Sequence, residues 1–409
     1  MQGSVDVLVA GGGIAGLAAA VEAARSGATV LLAESHRPGG RAQSDVRRGF
    51  TFNRGPHALY EDGPGRAVLD ALGVRVTGAP APIRGARALR DGRLFRLPGS
   101  PATLLATDLL SVPGRLGAAR VLASVRRPPD PGLAAESARS WTERVGGRAE
   151  VAQLLQALLR LATYVRDLDA LSADAAVGQL RVATGGVTYV DGGWQSIVDG
   201  LVDAAVGAGV EFRGGTPVTA VGVTPDGVRA TVGDVTVAAR SVVLAVGGPA
   251  DAERLLPGCV PGDLGPPAVA ACVDYGLASP APVRFVLGID EPVYFSQHAP
   301  DARLAPDGCA VVCALRYGST GREAAEDLDR LLGLAGVDGS TVRERRVLAS
   351  MTVAHALPRP GHGLAARPAV RVPGSPGCFL AGDWVGPVGL LVDAALSSGA
   401  AAGREAAGR

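Results

Sequence analysis

Three glycines and one glutamate near the start of the sequence have the spacing of a phosphate-binding turn. Residues 5–34, VDVLVAGGGIAGLAAAVEAARSGATVLLAE, place glycines at positions 11, 13 and 16, which is the GxGxxG spacing. In this motif Gly11 permits the tight turn, Gly13 lets a pyrophosphate approach the backbone, and Gly16 lets the helix pack against the strand. Glu34 would accept hydrogen bonds from a ribose and repel a 2′-phosphate. The pattern predicts dinucleotide binding.

An acidic residue near the far end of the chain stands in a similar setting. Asp383 lies in CFLAGDWVGPVGLLVDAALSSG, residues 378–399, where it follows a short apolar run in a glycine-flanked turn. The small and apolar residues after it have the pattern of a helix. The chain therefore carries a second glycine–acid element, remote in sequence from Gly11. Two such elements suit a ligand that stretches across a domain.

The elements around the first motif are more specific than its glycines. With 58 glycines in 409 residues, three at fixed spacing arise by chance about once in such a chain. The segment GHGLAA at 361–366 nearly matches the motif, but it follows Pro360 and has no strand before it. At 5–34, by contrast, an apolar strand leads into the turn, and an alanine-rich helix closed by Gly27 leads to a second strand ending on Glu34. This order predicts a βαβ unit.

Composition and charge exclude several functions. The 409 residues include no lysine, so all 40 basic residues are arginine and lysine-dependent chemistry is excluded. The net charge of +1 gives no field that would attract nucleic acid, and no arginine run is interleaved with aromatic residues. A chain of this length predicts two to three units of ordinary size or one discontinuous architecture.

The cysteines and the first apolar stretch indicate the cellular compartment. An odd number of cysteines without CxxC pairs favours buried thiols in a reducing cytoplasm over a disulfide framework. No metal site is predicted, because Cys309 and Cys313, four apart on an expected strand, have no histidine or carboxylate pair to complete a ligand set. Asp6 interrupts the first apolar stretch, which argues against a signal peptide or membrane span and favours a soluble, cytoplasmic protein. The five cysteines are Cys259, Cys272, Cys309, Cys313 and Cys378.

The residues after Glu34 carry a family resemblance. The segment SHRPGGRAQSDVRRGFTFNRGPHAL, residues 35–59, resembles the superfamily of FAD-dependent flavin amine oxidases, protoporphyrinogen oxidases and phytoene desaturases. Gly39, Gly40 and Arg41 match the GG-R segment that in this superfamily runs beside the FAD pyrophosphate and ribityl chain. The resemblance implies that the dinucleotide is FAD, bound non-covalently.

A second element of the same superfamily follows. Phe52, Gly55 and His57 match a stretch that in the family reaches the isoalloxazine ring, while Asn53 stands near the usual aspartate and is a departure. The resemblance continues through 189–221, 241–249, 291–308 and 355–368, and the last two segments are similar to phytoene-dehydrogenase-like flavoproteins.

The resemblance also implies a set of cofactor contacts. Val218 matches a position that contacts adenine through its backbone, and Asp383 would accept a hydrogen bond from a ribityl hydroxyl. The helix after Asp383 would point its first amides at the N1–C2=O edge of the ring, where reduction builds negative charge. The small residues Ala394, Ala395 and Ser398 would let this helix lie against the first βαβ unit. The expected contacts are Gly11, Gly13, Ile14, Ala15, Gly16, Glu34, Ser35, Gly39, Gly40, Arg41, Gly55, Pro56, His57, Val218, Gly382, Asp383, Gly389 and Leu390.

Four residues are candidates for lining the ring or the substrate, and none is assigned a catalytic role. His57 falls in the segment expected at the ring, either as a structural histidine or as a proton carrier. Tyr294 and His298 belong either to the substrate face or simply to a sheet. Trp384 follows Asp383 and either stacks near the ring or packs in the core.

The predicted fold is α/β, α+β overall, with a Rossmann-like FAD-binding domain and a substrate domain of mixed sheet and helices. Residues 100–182 have helical spacing of leucine and alanine, which fits core packing, a roof over an apolar cavity or a peripheral contact with a bilayer. Residues 268–318 alternate as strands do. Both domains are expected to be discontinuous: 1–75, 186–266 and 355–409 form the FAD domain, and 76–185 and 267–354 form the substrate domain.

The resemblance implies an oxidoreductase in which flavin N5 takes a hydride from a small-molecule substrate and passes electrons to oxygen or a quinone. No second GxGxxG is present, so the substrate itself is expected to reduce the flavin. Amine oxidases of the superfamily usually place a lysine near N5, which this chain lacks, so a dehydrogenase or desaturase acting on an apolar or cyclic substrate fits better. A flavin-dependent isomerase, an FAD monooxygenase and a non-enzymatic flavin protein are the alternatives. Substrate identity and oligomeric state do not follow from the sequence.

Overall fold

The computed structural model describes residues 4–82 and 84–408. The strands, in chain order, are β1 (Ser4–Ala10), β2 (Val30–Glu34), β3 (Ser44–Arg47), β4 (Phe50–Asn53), β5 (Leu59–Tyr60), β6 (Gly78–Pro80), β7 (Arg87–Arg90), β8 (Arg93–Arg96), β9 (Val187–Val190), β10 (Glu211–Gly214), β11 (Val218–Thr224), β12 (Gly227–Val232), β13 (Val235–Leu244), β14 (Ala268–Leu277), β15 (Phe285–Gly288), β16 (Val293–Gln297), β17 (Ala310–Tyr317), β18 (Val342–Ala354) and β19 (Cys378–Leu380). The α-helices are α1 (Ile14–Arg25), α2 (Pro64–Ala71), α3 (Pro101–Ala106), α4 (Val112–Val125), α5 (Ala138–Gly146), α6 (Ala149–Thr163), α7 (Ala173–Ala183), α8 (Gln195–Gly207), α9 (Pro249–Leu255), α10 (Arg322–Glu326), α11 (Arg330–Leu334) and α12 (Leu391–Ala407).

The first large sheet contains the predicted βαβ unit. Its strand order is β10-β2-β1-β13-β12-β11, with β19 paired to β13. The strands β10, β2, β1, β13 and β19 are parallel, whereas β12 and β11 form an antiparallel extension. One face packs against α1, α8 and α12 in one apolar core. The other face packs against α9 and the segment around Trp384 in a second core, so both faces of the parallel part are buried, as such sheets require.

Helix α12 packs against α1 over two glycines. A Cβ built on Gly399 would lie 2.2 Å from the carbonyl oxygen of Ala15, and one on Gly403 would lie 2.2 Å from that of Ala19. The two helices therefore approach each other at backbone distance. This contact joins the end of the chain to the helix that starts at the glycine turn.

The second large sheet has an apolar cluster on each of its faces. Its order is β18-β14-β17-β16-β15-β7-β8, antiparallel except for the β15–β7 pair. One face packs against the helices between α3 and α7 in a cluster that includes Leu154, Leu159 and Tyr294, and we call this the substrate-side cluster. The other face packs against α10 and α11.

A buried arginine fastens the second sheet to the β3–β4 hairpin. Arg346, on β18, is 3% exposed, and its Nε and Nη2 donate to Asp274 Oδ2 at 3.0 and 2.5 Å. Its Nη1 also donates to the carbonyl of Phe52 at 3.2 Å, and its Nη2 donates to that of Asn53. A buried charge needs such a full set of partners, so this arginine fixes the chain just before Gly55.

The start of α12 holds a buried acid. Asp393 is 0% exposed; its Oδ1 accepts from the Gly65 amide of α2 at 2.9 Å, while Oδ2 has no hydrogen-bond partner. Burial raises the pKa of the Asp393 carboxyl to about 6, although the Gly65 amide acts against this shift. The carboxyl thereby links α12 to α2. Because it is buried, its ionised form costs more folding free energy than its protonated form.

The structure confirms the α/β fold class and the elements predicted from the sequence. The strand–turn–helix–strand unit of 5–34 is β1, α1 and β2. The helices α3 to α7 account for most of 100–182, and the strands β14 to β17 lie within 268–318. The domain bounds stay a prediction, and positions 1–3, 83 and 409 within them lie outside the described residues. Among the residues described, we find no helix with the length and apolarity to cross a bilayer.

We expect Gly399→Ala to destabilise the protein. The added Cβ would overlap a backbone oxygen of α1, which cannot move as a side chain can, so the free energy of unfolding should fall by about 1–3 kcal/mol. Gly207→Ala is the matched control, because a Cβ there meets nothing within 4 Å and the position lies at the end of a helix. Urea unfolding of both variants checks this; equal midpoints would contradict the packing argument.

Replacing the buried acid should change how stability depends on pH. Because the pKa of Asp393 in the folded chain lies above its ordinary value of 3.8, its contribution to stability is lost as pH rises from about 4 to about 6. Relative to wild type, Asp393→Asn should therefore gain roughly 1–3 kcal/mol across that window. Thermal or urea unfolding between pH 4 and 8 measures the difference, with the exposed Asp203→Asn on α8 as control. A wild-type-minus-variant difference that does not change with pH would contradict the assignment.

Candidate functional site

The glycine turn between β1 and α1 has the geometry that its spacing predicts. Gly11 has φ +103°, and a Cβ there would lie 2.5 Å from the Ala245 carbonyl oxygen. A Cβ on Gly16 would lie 1.9 Å from the Gly11 oxygen. In front of Gly13, by contrast, a Cβ would meet nothing within 4 Å, so the start of α1 is open to a ligand.

Glu34 holds the turn in place. Its Oε2 accepts from the Gly12 amide at 2.6 Å, and its Oε1 accepts from the His36 amide at 2.8 Å. The carbonyl of Glu34 accepts from the Thr216 amide at 2.9 Å, which brings the segment before Val218 to the same place. The predicted ribose contact and the predicted adenine contact therefore lie side by side.

The GG-R segment runs alongside the glycine turn. Gly39 donates its amide to the Gly12 carbonyl at 2.8 Å and forms a bridge with Gly13. Its φ of +111° favours glycine, and Gly40 follows with φ +54°. The side chain of Arg41 then reaches Asp383. Two glycine segments thus form one open groove of backbone, which suits a pyrophosphate.

The Asp383 carboxylate lies at the other side of this groove. It is 3% exposed, and Arg41 donates to both of its oxygens, at 2.8 and 3.3 Å. His355 donates its amide to Oδ2 at 3.0 Å and has Nδ1 2.8 Å from Oδ1. Burial alone would raise the pKa of Asp383, but Arg41 and His355 hold it well below its usual range. The carboxylate is therefore ionised at all ordinary pH values.

His355 is a site residue that the sequence analysis missed. It lies in the 355–368 segment, but nothing in that segment indicates that its ring reaches Asp383. Arg367 was missed as well: it is 8% exposed and donates to the carbonyls of Asp383 at 3.1 Å and Gly389 at 2.9 Å, so it fixes the turn between them. Burial lowers the pKa of Arg367 to about 10.

Ser398 ties this turn to α12. Its hydroxyl accepts from the Gly382 amide and donates to the Gly382 carbonyl, both at 2.9 Å. Leu390 caps α12 without a side-chain hydrogen bond, and Leu391 has φ +55°, which a leucine rarely adopts. The turn and the first residues of α12 are thus held by specific bonds next to the groove.

His57 contacts Gly55 and Trp194. Its Nδ1 is 2.8 Å from the Gly55 carbonyl oxygen, and its ring centroid is 4.7 Å from that of Trp194. Because a carbonyl only accepts, Nδ1 must carry the proton and Nε2 keeps a lone pair. Burial lowers the pKa of His57 to about 4, and the charges of Arg41 and Arg346 add to this shift. His57 is therefore a neutral acceptor at pH 7.

Asn53, which departs from the family aspartate, accepts two buried hydrogen bonds. Its Oδ1 accepts from the Ser44 hydroxyl at 2.7 Å and from the Trp194 amide at 2.8 Å. The side chain therefore organises the start of α8.

Tyr294, in the substrate-side cluster, lies next to two tyrosines that the sequence analysis did not single out, Tyr164 and Tyr317. Its hydroxyl is 3.2 Å from that of Tyr164, which also donates to the Pro56 carbonyl at 3.3 Å. The Tyr294 and Tyr317 rings stack with centroids 5.8 Å apart. Burial raises the pKa of all three phenols well above the usual value, so they are neutral.

The other two lining candidates lie in packed positions. His298 is 4% exposed, stacks on Tyr189 at 4.0 Å and has Nε2 2.9 Å from the Ser296 hydroxyl. Burial lowers its pKa to about 3. Trp384 is 0% exposed in the apolar core on the face of the first sheet that Leu8 and Leu31 occupy. The structure thus brings His57 and Tyr294 together through Tyr164 and Pro56, while Trp384 packs in the core.

The remaining predicted contacts lie along the same groove or at its ends. Ile14 and Ala15 open α1, Ser35 contacts Glu34 through its hydroxyl at 3.3 Å, and Val218 opens β11. These contacts, like the others, stay predictions.

One group of possible metal ligands occurs in the described parts of the chain. Cys272, Asp274 and Cys313 place ligand atoms within 4.8 Å of one another, with the two sulfurs 3.2 Å apart. Asp274 is already paired with Arg346, and burial raises the pKa of Cys272 to about 11. Cys313 lies in β17, and Cys309 directly precedes that strand. The prediction that no metal is bound stays a prediction.

Solved structures show a similar fold over the whole chain. An oxidoreductase from Methanosarcina mazei aligns with a TM-score of 0.74 at 18% identity, over 97% of this chain and 99% of that one. Cyclohexylamine oxidase from Brevibacterium oxydans IH-35A aligns with a TM-score of 0.69 at 18% identity, over 99% of this chain and 98% of that one. At such identities the likeness concerns the fold alone.

Sequence comparison identifies the family. The chloroplastic protoporphyrinogen oxidase of Oryza sativa subsp. japonica is 34% identical over 185 residues, which are 43% of this chain and 34% of the rice protein. The chain thus matches about a third of that relative's length. The model of the family "flavin containing amine oxidoreductase" matches residues 14–306, more than two thirds of the chain. The chain therefore belongs to the flavin containing amine oxidoreductase family.

Proposed function

We propose that this protein oxidises an apolar or cyclic small molecule, as a dehydrogenase, desaturase or oxidase. The observation that carries the proposal is the contact between Tyr164 and Pro56, which joins the substrate-side cluster to the segment expected at the flavin ring. A substrate in that cluster would have its reacting bond beside His57. The proposal includes the resemblance of this chain to phytoene-dehydrogenase-like enzymes.

The residues present fit FAD. The open backbone in front of Gly13 forms a cradle that a Cβ would fill, and α1 begins there with its amides free for a phosphate. Gly39 lies alongside and is bonded to the Gly12 carbonyl through its amide. Glu34 marks the ribose end of the groove, and Asp383 marks the far end. The ribityl contact of Asp383 requires one of its present donors, Arg41 or His355, to turn aside.

The chain supplies orientation and electrostatics for the reaction. When bound, the isoalloxazine accepts a hydride from a bond held against it. The first amides of α12 would face one edge of the ring, and a helix terminus is worth about 0.5–2 kcal/mol for a charge that develops there. The Asp393 carboxylate in the same turn, ionised above about pH 6, would offset part of this. His57, neutral with a lone pair on Nε2, accepts a hydrogen bond and is a weak base. Such a site favours substrates that react without a strong base.

The wall of the substrate-side cluster also bears on the substrate. Its polar groups next to Pro56 are neutral phenols, and no lysine exists to act near the flavin. Holding an amine cation there would need a carboxylate or a larger aromatic cage. This supports oxidation of C–C or neutral C–N bonds over the lysine-assisted oxidation of amines.

The electron acceptor, the membrane contact and the cytoplasmic location stay proposals. Oxygen or a quinone would take the electrons. Leu105, Val112 and Leu116, on α3 and α4, are 70%, 65% and 59% exposed, which supports a peripheral contact with a bilayer.

Anaerobic mixing of the FAD-bound protein with candidate substrates tests the function. We expect an apolar cyclic or polyene substrate to bleach the flavin band near ~450 nm without any nicotinamide, because the substrate itself is the reductant. Conversion only after prior reduction of the flavin, with the substrate redox level unchanged, would instead indicate an isomerase. A requirement for NADPH with oxygen uptake would indicate a monooxygenase.

Flavin retention tests the far end of the groove. Asp383→Asn removes the charge that orients Arg41 and His355, so FAD should bind roughly tenfold more weakly, about 1.4 kcal/mol. Asp6→Asn is the matched control, since Asp6 also pairs with an arginine, Arg240 at 2.9 Å, but at the opposite end of β1 from Gly11. Fluorescence titration with FAD measures both; equal affinity in Asp383→Asn and wild type would refute the contact.

A further inference from the structure

Asp393 is a buried acid to which the proposed reaction gives no part. Its side chain is fully buried, Oδ1 accepts from the Gly65 amide at 2.9 Å, and Oδ2 has no hydrogen-bond partner. Native structures rarely leave a buried carboxylate oxygen unpaired. Buried acids with perturbed ionisation are concentrated at functional sites, so a function beyond packing is expected here.

The Asp393 carboxyl lies at the N-terminal ends of two helices. It belongs to the first turn of α12, and its partner Gly65 lies in the first turn of α2, which begins at Pro64. Leu390 caps α12 without a side-chain hydrogen bond, so no cap satisfies the first amides of that helix. The two helix ends therefore favour a negative charge at this point, while burial disfavours it.

The backbone packs closely around this carboxyl. A Cβ on Gly63 would lie 2.5 Å from Asp393 Oδ1, and one on Gly65 would lie 2.7 Å from the same atom. A Cβ on Gly389 would lie 2.7 Å from Asp393 Cβ. Such packing leaves no room for a bound molecule, but protonation of the carboxyl needs none. A proton is therefore the ligand that this site can take up.

The arginines on the neighbouring segments are engaged elsewhere. Arg66, on α2, pairs with Glu61 at 3.3 Å and with Asp70 at 3.2 Å. Arg367 donates to the Gly389 carbonyl at 2.9 Å. Within residues 4–82 and 84–408, no cation forms an ion pair with the buried carboxyl, so no fixed positive side chain holds it in the ionised form.

The titratable group that β5 contributes is also paired. The Tyr60 hydroxyl donates to the Ala162 carbonyl at 2.8 Å, and burial, together with the Asp393 charge, raises the pKa of this phenol. Burial raises the pKa of Asp393 itself to about 6, and the Gly65 amide opposes that shift. The carboxyl is thus ionised at pH 7 by a narrow margin.

The same turn is where the reduced flavin is expected to carry charge. The family resemblance places Gly389 and Leu390 among the FAD contacts and directs the first amides of α12 at the N1–C2=O edge of the ring. Hydride uptake adds one negative charge to that edge. Two like charges around one helix terminus disfavour each other in a region that excludes water. Flavin reduction should therefore favour the neutral form of Asp393.

We propose that Asp393 takes up a proton when the flavin is reduced. The substrate loses a hydride to the flavin and a proton to solvent, while the Asp393 carboxylate takes one proton from solvent. The products are the oxidised substrate, the anionic reduced flavin and the Asp393 carboxylic acid, so atoms and charge balance. Asp393 is a positioning residue, since it acts on the ring through its charge. This inference rests on the proposed function, whose electron acceptance it describes more closely.

The midpoint potential of the bound flavin tests the proposal. We would reduce FAD-bound wild type and Asp393→Asn with dithionite and reference dyes between pH 5 and 8. At pH 5 both side chains are neutral, so the two potentials should nearly coincide. Above about pH 6 the wild-type potential should fall below that of the variant, by tenfold in the reduction equilibrium, or about 30 mV, per pH unit. The comparison cancels protons that the flavin itself takes up.

The other end of α12 supplies the matched control. Glu405→Gln removes the same charge from the last turn of that helix, where Glu405 pairs with Arg371 at 3.0 Å. Its potential should follow that of wild type at every pH. A difference between wild type and Asp393→Asn that does not change with pH would overturn the proposal.

Infrared difference spectroscopy tests the same step in the wild type. Reduction at pH 7 should produce the C=O stretch of a newly protonated carboxyl, and Asp393→Asn should lack this band. If the wild type shows no such band, the proposal is wrong, whether or not the variant folds.

Chemical reduction needs no substrate, so failure of this inference is distinguishable from failure of the proposed function. A protein that binds no FAD overturns both. If a substrate reduces the flavin but the potential difference does not depend on pH, only this inference fails. If the difference depends on pH as expected but no apolar substrate reduces the flavin, only the proposed function fails.

Discussion

The buried carboxylate of Asp383 is the interaction on which the arrangement of the site depends. A charge that is 3% exposed is stable only when donors surround it, and here the donors come from two remote segments, Arg41 and His355. Satisfying the charge therefore brings three parts of the chain to one point. Removing one partner of such a pair typically costs about 3–5 kcal/mol, so the groove is held by a strong constraint. The glycine turn, the GG-R segment and the start of α12 all take their positions around it.

A second buried ion pair works in the same way at the other end of the ring segment. Arg346 and Asp274 lie on the second sheet, and Arg346 also holds the carbonyls of Phe52 and Asn53. The residues that lead to His57 are thus fixed between two arginines, Arg41 and Arg346. Their charges and burial together keep the histidine neutral. The chain is therefore held by charged hydrogen bonds where the cofactor is expected.

The substrate side follows a different principle. Between the helices and the second sheet the core is apolar, and its polar atoms are phenols that share hydrogen bonds with one another. Tyr164, whose φ is +61°, reaches from this core to the Pro56 carbonyl in the segment that leads to His57.

The local elements and the family could be predicted from neighbouring residues alone. The GxGxxG turn, its strand and helix, the helical region and the strands of 268–318 were predictable because backbone conformation and periodic burial are encoded by neighbouring residues. The GG-R residues 39–41 and the segment ending at His57 indicated the family resemblance. Asp383 could be singled out because a carboxylate in an apolar, glycine-flanked turn needs a reason.

Contacts between residues that are remote in the chain could be found only in the folded structure. His355 and Arg367 carry no local signal, and neither does Tyr164, whose role depends on a positive φ and on contacts with Pro56 and Tyr294. Trp384, one residue from Asp383, lies in the core rather than in the groove, because the turn sends successive side chains to opposite sides. Partners hundreds of residues apart are chosen by packing and by the need to neutralise buried charge. Those requirements belong to the folded chain as a whole, so spacing along the sequence cannot express them.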